Sequence, residues 1–196
     1  MSVAKIALIF MGLLLCSCSQ FVKVAPEEEA REEVDVRKPR WTVSEGAFLE
    51  MEKGEGSIEI SLVEQKLTLR DKLGRRVIET DCSTGIPGRE TPTGTFRIKE
   101  MIVDKRSNKY GRYLSKETGE VVVEKSWEVD RRPPGTRYLG IAMPYWMRLT
   151  WQGVGIHVGE FHRGEPSSFG CIRMPQGIQP RIYAKSAPGM PVRILR

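Results

Sequence analysis

The chain has 196 residues, 31 Lys and Arg against 25 Asp and Glu, and 40% hydrophobic residues, which is material for one modest domain with extensions. That excludes a large multidomain assembly and a chain that is all disordered tail. The formal charge of +6 suits an anionic partner and leaves nucleic acid, acidic lipid and acidic polysaccharide open.

In chain order, Lys5 precedes an uncharged run from Ile6 to Leu15, the pattern of a secretory signal. Ten apolar residues at ~1.5 Å each fall short of a hydrocarbon core of about 30 Å, so a spanning helix is not expected. The exit Leu15-Cys16-Ser17-Cys18 resembles the bacterial lipobox. It implies a signal peptide over residues 1–17 and acylation of Cys18, with the protein attached to a membrane through that lipid. Cys16 fits less well, because Leu15 would stand where a small residue is wanted. The expected location is the cell envelope, exported and facing the periplasm; Ser19 after the cysteine resembles the Gram-negative pattern for the outer membrane.

Residues 18–56 carry Glu27-Glu28-Glu29, Glu32-Glu33 and Asp35 with few regularly spaced apolar residues, and read as a flexible linker. A short charged helix over 27–36 is the competing reading. From residue 57 the pattern becomes β. Ile58, Ile60 and Leu62 alternate with polar neighbours, Leu67 and Leu69 repeat the alternation, and Asp71-Lys72-Leu73-Gly74 is a turn before a strand over 75–80. Further strands are predicted at 95–103, 121–125, 146–150, 154–157 and 190–195. One helix is predicted over 178–184, with Ile178 and Ile182 on one face and Pro188-Gly189 beyond its end. The domain over 57–196 is therefore mainly β.

The chemistry-bearing stretch runs from Gly155-Ile156-His157-Val158-Gly159 to Ser167-Ser168-Phe169-Gly170-Cys171-Ile172-Arg173-Met174, and it holds both histidines of the chain, His157 and His162. A thiolate is the nucleophile of a cysteine enzyme, and a nearby imidazole generates it at neutral pH. Gly170 lets the backbone pass close to a substrate, and successive N–H groups there form a candidate oxyanion hole. A buried thiol and a surface imidazole are the plain alternative.

The run S-x-G-C-I-R-M at 168–174, preceded by Ile156-His157, closely resembles the active-site signature of the L,D-transpeptidase (YkuD-type) family. So do Ser83-Thr84-Gly85 followed by Thr91-Pro92-Thr93-Gly94-Thr95-Phe96, the opening strand pair over 58–69, and the closing Ala187-Pro188-Gly189-Met190-Pro191-Val192-Arg193-Ile194. The resemblance implies a mixed β-sandwich with one or two short helices and a capping insertion. It implies a cysteine acyltransferase acting on peptidoglycan stem peptides, working without a cofactor or metal, as a monomer that binds no nucleic acid. Cys171 is then the nucleophile, attacking the carbonyl that follows the L-centre of a diaminopimelate or equivalent residue, and His157 the general base. Gly170 and Cys171 supply the oxyanion N–H groups. Arg173, Ser168, Gly159 and Tyr145 are the substrate-binding candidates, Arg173 by a bidentate grip on a carboxylate.

Phe169 stands where many members of that family have a second His. The segment 104–145, with Lys105-Arg106, Tyr110, Arg131-Arg132 and Tyr138, resembles the capping insertion of one branch. Cys82 reads as a buried small hydrophobe, with a disulfide to Cys171 as the sharper alternative. His162 is expected on a loop surface. Ser83 or Thr93 would touch substrate as an extra to the turn that Pro92 and Gly94 make. Pairing with His157 leads one to expect a Cys171 thiol that ionises well below the ordinary value of about 8.5. Two other function classes fit the residues less well. One is a metal hydrolase built on His157, His162, Cys171 and Glu160 or Glu165; the other is a non-catalytic lipoprotein that tethers envelope to wall.

Overall fold

The computed structural model describes residues 38–196. The signal segment, Cys18 and the competing helix over 27–36 lie outside the described residues.

Two sheets carry the domain. The first has the order β1 (Trp41–Val43), β4 (Arg76–Asp81), β3 (Lys66–Arg70), β2 (Ser57–Ser61), β11 (Pro191–Leu195) and β5 (Gly94–Arg97). The second runs β10 (Ile172–Met174), β9 (Gly155–Val158), β8 (Thr136–Arg148), β6 (Glu100–Ser115) and β7 (Val121–Val123). Among the described strands only the β2–β11 and β9–β10 pairs are parallel, so the sandwich is mixed, as expected. Strand alternation explains the first sheet: β2 and β3 each bury every second residue, and Ile58 lies opposite Leu69 in their antiparallel ladder. The predicted Asp71 turn forms because Asp71 Oδ1 accepts the N–H groups of Leu73 and Arg75 at 3.0 and 2.9 Å.

Ile60, Leu67 and Leu69 of the first sheet join Met147, Ile156, Ile172 and Met174 of the second in one core. Helix α2 (Gln179–Lys185) closes one end through Ile182, with Ile178 at its N-cap.

Residues 41–51, inside the span expected to be a linker (18–56), are folded. β1 pairs antiparallel with β4, and α1 (Glu45–Glu50) follows at once, burying Ala47, with Met51 beyond its end also in the core. Glu45 takes a two-point ion pair from Arg181 at 2.9 and 2.6 Å, and the Arg181 guanidinium lies 4.2 Å from the Phe48 ring centre. A helix of 6 residues is too short to show a period in sequence.

The insertion over 104–145 is a folded ribbon. β6 and β8 pair from Glu100 opposite Arg148 to Ser115 opposite Thr136, with a register shift between Arg106 and Gly111. At that bulge Ser107 Oγ accepts the N–H groups of Lys109 and Tyr110 at 3.2 and 2.9 Å, and Tyr138 Oη donates to the Ser107 carbonyl at 3.0 Å. The bulge turns Tyr110 toward the sandwich, where a short 3-10 turn (Ser126–Glu128) brings Trp127 beside it.

Candidate active site

The parallel β9–β10 pair places the chemistry. Ile156 and Ile172 are partners and both enter the core; their neighbours His157 and Arg173 are partners on the opposite face. Cys171 immediately precedes β10, and its side chain is half-buried. His157, Gly159, Ser168, Phe169, Cys171 and Arg173 line one cavity of about 280 Å³, roofed by Ser107, Tyr110, Trp127 and Ile141 of the ribbon.

The nucleophile loop is held from several sides. Gly170 has φ +108°, a conformation for which glycine is the natural residue. Ser168 is buried; its Oγ accepts the Gly170 N–H at 3.1 Å and donates to the Cys171 carbonyl at 2.5 Å. Thr91 Oγ1 donates to the Gly170 carbonyl at 3.0 Å. The 82–91 segment also pairs with the loop directly: Ser168 N–H donates to the Thr84 carbonyl at 2.9 Å, and Ser83 and Arg173 exchange backbone hydrogen bonds at 2.9 and 2.8 Å. Behind it, buried Gln65 accepts the Thr84 N–H at 2.8 Å and donates to Thr84 Oγ1 at 2.7 Å.

Electrostatics keep both reacting groups neutral. Burial pushes the Cys171 thiol up, against the smaller opposing pull of the Gly155 N–H and the Arg173 and Arg148 charges. Burial likewise pushes His157 down to about 4, opposed by its hydrogen bond to the Val158 carbonyl and helped by the Arg173 charge. His157 Nδ1 lies 2.7 Å from that carbonyl. A neutral ring therefore carries its proton on Nδ1 and leaves Nε2 as the basic nitrogen. The thiol donates to the Gly153 carbonyl at 3.5 Å. The expectation of a thiol already ionised by the imidazole is thus corrected: in a site this dry, the charged pair has lost more hydration than its neighbours replace.

Phe169 is the floor beneath the ribbon. Its ring centre lies 5.3 Å from Tyr110 and 6.0 Å from Trp127, and the Arg89 guanidinium sits 4.1 Å from it. The position is occupied by an aromatic contact, with no imidazole.

Comparison with known proteins bears on this geometry. The L,D-transpeptidase catalytic domain family model (YkuD) matches residues 55–194. The chain belongs to this family. Among solved structures, an L,D-transpeptidase from Mycobacterium smegmatis is 19% identical with a TM-score of 0.54, covering 72% of this chain and 59% of that one. One from Stackebrandtia nassauensis is 19% identical with a TM-score of 0.51, covering 76% and 60%. The Enterococcus faecium L,D-transpeptidase is 23% identical with a TM-score of 0.50, covering 72% and 50%. At such identities the likeness is one of fold, and the chain spans at most about 60% of the length of these neighbours. No curated protein matches the sequence significantly.

Within the L,D-transpeptidase domain the remaining candidates separate. Gly159 lies against the site: a Cβ there would come within 3.0 Å of Arg173 Cγ and 3.3 Å of His157 Cε1. Arg173 Nη1 donates to the Ser167 carbonyl at 3.1 Å, bracing the 159–168 loop. Of the two expected oxyanion donors, Gly170 N–H is occupied by Ser168 Oγ, which leaves Cys171 N–H as the available one. Tyr145 is a correction. It lies outside the cavity lining, at φ +55°, with its ring 5.5 Å from Tyr183 of α2 and its carbonyl accepting Gln179 Nε2 at 3.0 Å; a backbone kink in β8 turns it toward the helix.

Ser83 is also structural, its Oγ donating to the Glu165 carbonyl and lying 2.7 Å from Ser167 Oγ, while Thr93 is exposed. Among the described residues the two cysteines, Cys82 and Cys171, are free, and Cys82 is fully buried in the core with its thiol pushed up by that burial, so the alternative disulfide is not formed. His162 is exposed, 3.6 Å from Glu160. Among the described residues no group of three or more His, Cys, Asp or Glu side chains converges as the zinc alternative requires. Thr91 and Gln65 escaped the sequence reading. Thr91 opens the Thr91-Pro92-Thr93-Gly94 turn motif, whereas Gln65 carries no local signal.

Proposed function

We propose that this domain is a cysteine acyltransferase that works on peptidoglycan stem peptides through a thioester at Cys171. Cys171 Sγ attacks the carbonyl carbon of the donor stem peptide as His157 Nε2 takes the thiol proton. The carbonyl oxygen, now an oxyanion, faces the Cys171 N–H. Collapse breaks the C–N bond, the departing amine takes the proton from His157, and the acyl group remains on sulfur. An acceptor then attacks the thioester, loses its proton to His157, and the sulfur leaves to regain it. A side-chain amine of a second stem peptide gives a 3–3 crosslink, a protein amine gives protein attachment, and water gives hydrolysis. The donors of Arg173 left over from the loop carbonyls are the candidates for a stem-peptide carboxylate.

The observation that carries this reading is the shared cavity of Cys171 and His157 beneath an aromatic roof, with the peptide before the nucleophile fixed by Thr91 and Ser168. Incubation with a tetrapeptide stem should add the mass of its acyl fragment to Cys171. A reduced Cys171 that acquires no adduct would overturn the reading. We further propose that Cys18 carries the lipid and holds the domain, as a monomer, at the periplasmic face of the envelope. Metabolic labelling with a fatty acid tests this, because Cys18→Ser should abolish the label.

A further inference from the structure

The connection from β8 to β9 presents a side chain that the acyl transfer does not use. Trp151 is 69% exposed. Its turn is closed by hydrogen bonds from Leu149 and Thr150 N–H to the Val154 carbonyl at 2.9 and 3.1 Å, and from Val154 N–H to Thr150 Oγ1 at 3.1 Å. The indole is therefore displayed on a fixed frame. Lys99 Nζ and Arg148 Cζ approach its ring at 5.6 and 5.4 Å from the centroid, and Arg148 is itself anchored by Glu100 at 2.6 Å.

Trp151 borders a groove of about 520 Å³ with Thr95, Arg97, Lys99, Thr150 and Gln152, set over half-buried Phe96 and buried Leu149, and no acidic residue lines it. The same turn reaches the nucleophile. Its Gly153 carbonyl accepts the Cys171 thiol, and its Val154 shares a neighbouring depression with Phe169 and Gly170.

We propose that this groove is a glycan subsite, in which Trp151 stacks on the apolar face of a hexosamine ring. Arg97, Lys99, Thr95, Thr150 and Gln152 meet the hydroxyl, ether and amide oxygens of the sugar rim. The chemistry is complementary: a pyranose has one apolar face and a polar rim, and the groove offers one aromatic face inside a polar and basic rim. An anionic bilayer would call for a contiguous apolar patch, which this groove, with one exposed indole among polar and basic side chains, does not supply. The inference rests on the peptidoglycan reading, since a stem peptide enters the cavity still joined to its glycan strand.

The test uses peptidoglycan glycan chains freed of their stem peptides, with binding read by tryptophan fluorescence and by co-sedimentation. Trp151→Ala should weaken binding by about tenfold, the scale of one lost aromatic contact, and Trp151→Phe should restore most of it. In parallel, Trp151→Ala should leave acylation by a free tetrapeptide unchanged and raise KM, not lower kcat, for the same peptide carried on a disaccharide. Equal glycan binding by wild type and Trp151→Ala would overturn the proposal. So would a Trp151-dependent affinity for phosphatidylglycerol vesicles with none for glycan. Because binding is read without catalysis, a protein that forms no acyl-enzyme would sink the function proposed above and still leave the glycan measurement to decide this one.

Discussion

Thr91 holds Gly170 by its carbonyl: one hydroxyl receives the Gly85 N–H at 2.9 Å and donates to Gly170 at 3.0 Å. Thr91→Val keeps the shape and strands both backbone groups in a buried place, a loss of about 1–3 kcal/mol. The urea midpoint should fall accordingly, and acyl-enzyme formation should slow by roughly tenfold or more as the Gly170–Cys171 peptide loses its orientation. Thr91→Ser should restore both. A variant that is less stable but acylates at the wild-type rate would limit Thr91 to supporting the fold.

Alkylation of Cys171 by iodoacetamide, followed against pH, should give a midpoint above the ordinary thiol value of about 8.5, because burial raises it. Arg173→Gln removes a cation that favours the thiolate and should move the midpoint higher. His157→Ala should not raise it, because the imidazole is already neutral in that range, yet it should abolish acylation by a stem peptide. An upward shift on His157→Ala would establish a thiolate–imidazolium pair and contradict the neutral resting site.

Acid should weaken the fold through His157. Its folded value of about 4 lies below an unfolded value of about 6.5, so between these the unfolded chain binds the extra proton and stability falls as the pH is lowered. The full effect is about 3 kcal/mol, present above pH ~6.5 and gone by pH ~4. Comparing urea midpoints of wild type and His157→Gln across that window isolates it; parallel curves would refute the assignment.

Gly159→Ala tests close packing at the site, since the new methyl would meet Arg173 Cγ at 3.0 Å and Cδ at 3.1 Å. Overpacking of this kind costs about 1–3 kcal/mol. Arg173 should shift, slowing acylation by the stem peptide while leaving alkylation by a small reagent almost unchanged. Equal losses with both reagents would point instead to damage at the thiol.

Phe169→Ala removes the ring shared by Tyr110, Trp127 and Arg89, contacts worth about 0.5–1.5 kcal/mol per aromatic pair beyond their buried area. Trypsin should then cut faster at Lys109 and Arg112, and Phe169→His should retain much of the protection. Unchanged cleavage in Phe169→Ala would show that the ribbon is held down by its own strands alone.

The half-buried strands were legible because Ile58, Ile60, Leu67 and Leu69 alternate, and the nucleophile loop was legible because Gly170-Cys171 and His157 carry their chemistry in their residue types. The ribbon was not. Its strands are largely exposed on both faces, so residues 104–112 show no period, and the pairing of Arg112 with Leu139 is a matter of register across a long separation. Tyr145 was misplaced because a positive φ inside a strand redirects a side chain that alternation alone would send elsewhere. Gln65 was missed because a buried amide announces itself only through the partners that satisfy it, and Thr84, the partner that ties it to the site, stands 19 residues away.

Strand β11 lies inside the first sheet, between β2 and β5, although the whole of the second sheet separates it from them along the chain. Until residues 191–195 have been synthesised, Ile58 and Ile60 line an open edge and β5 has no neighbour in its sheet. Chain order and pairing order are thus opposed, and the first sheet closes only through contacts of very long sequence separation, a topology that folds slowly.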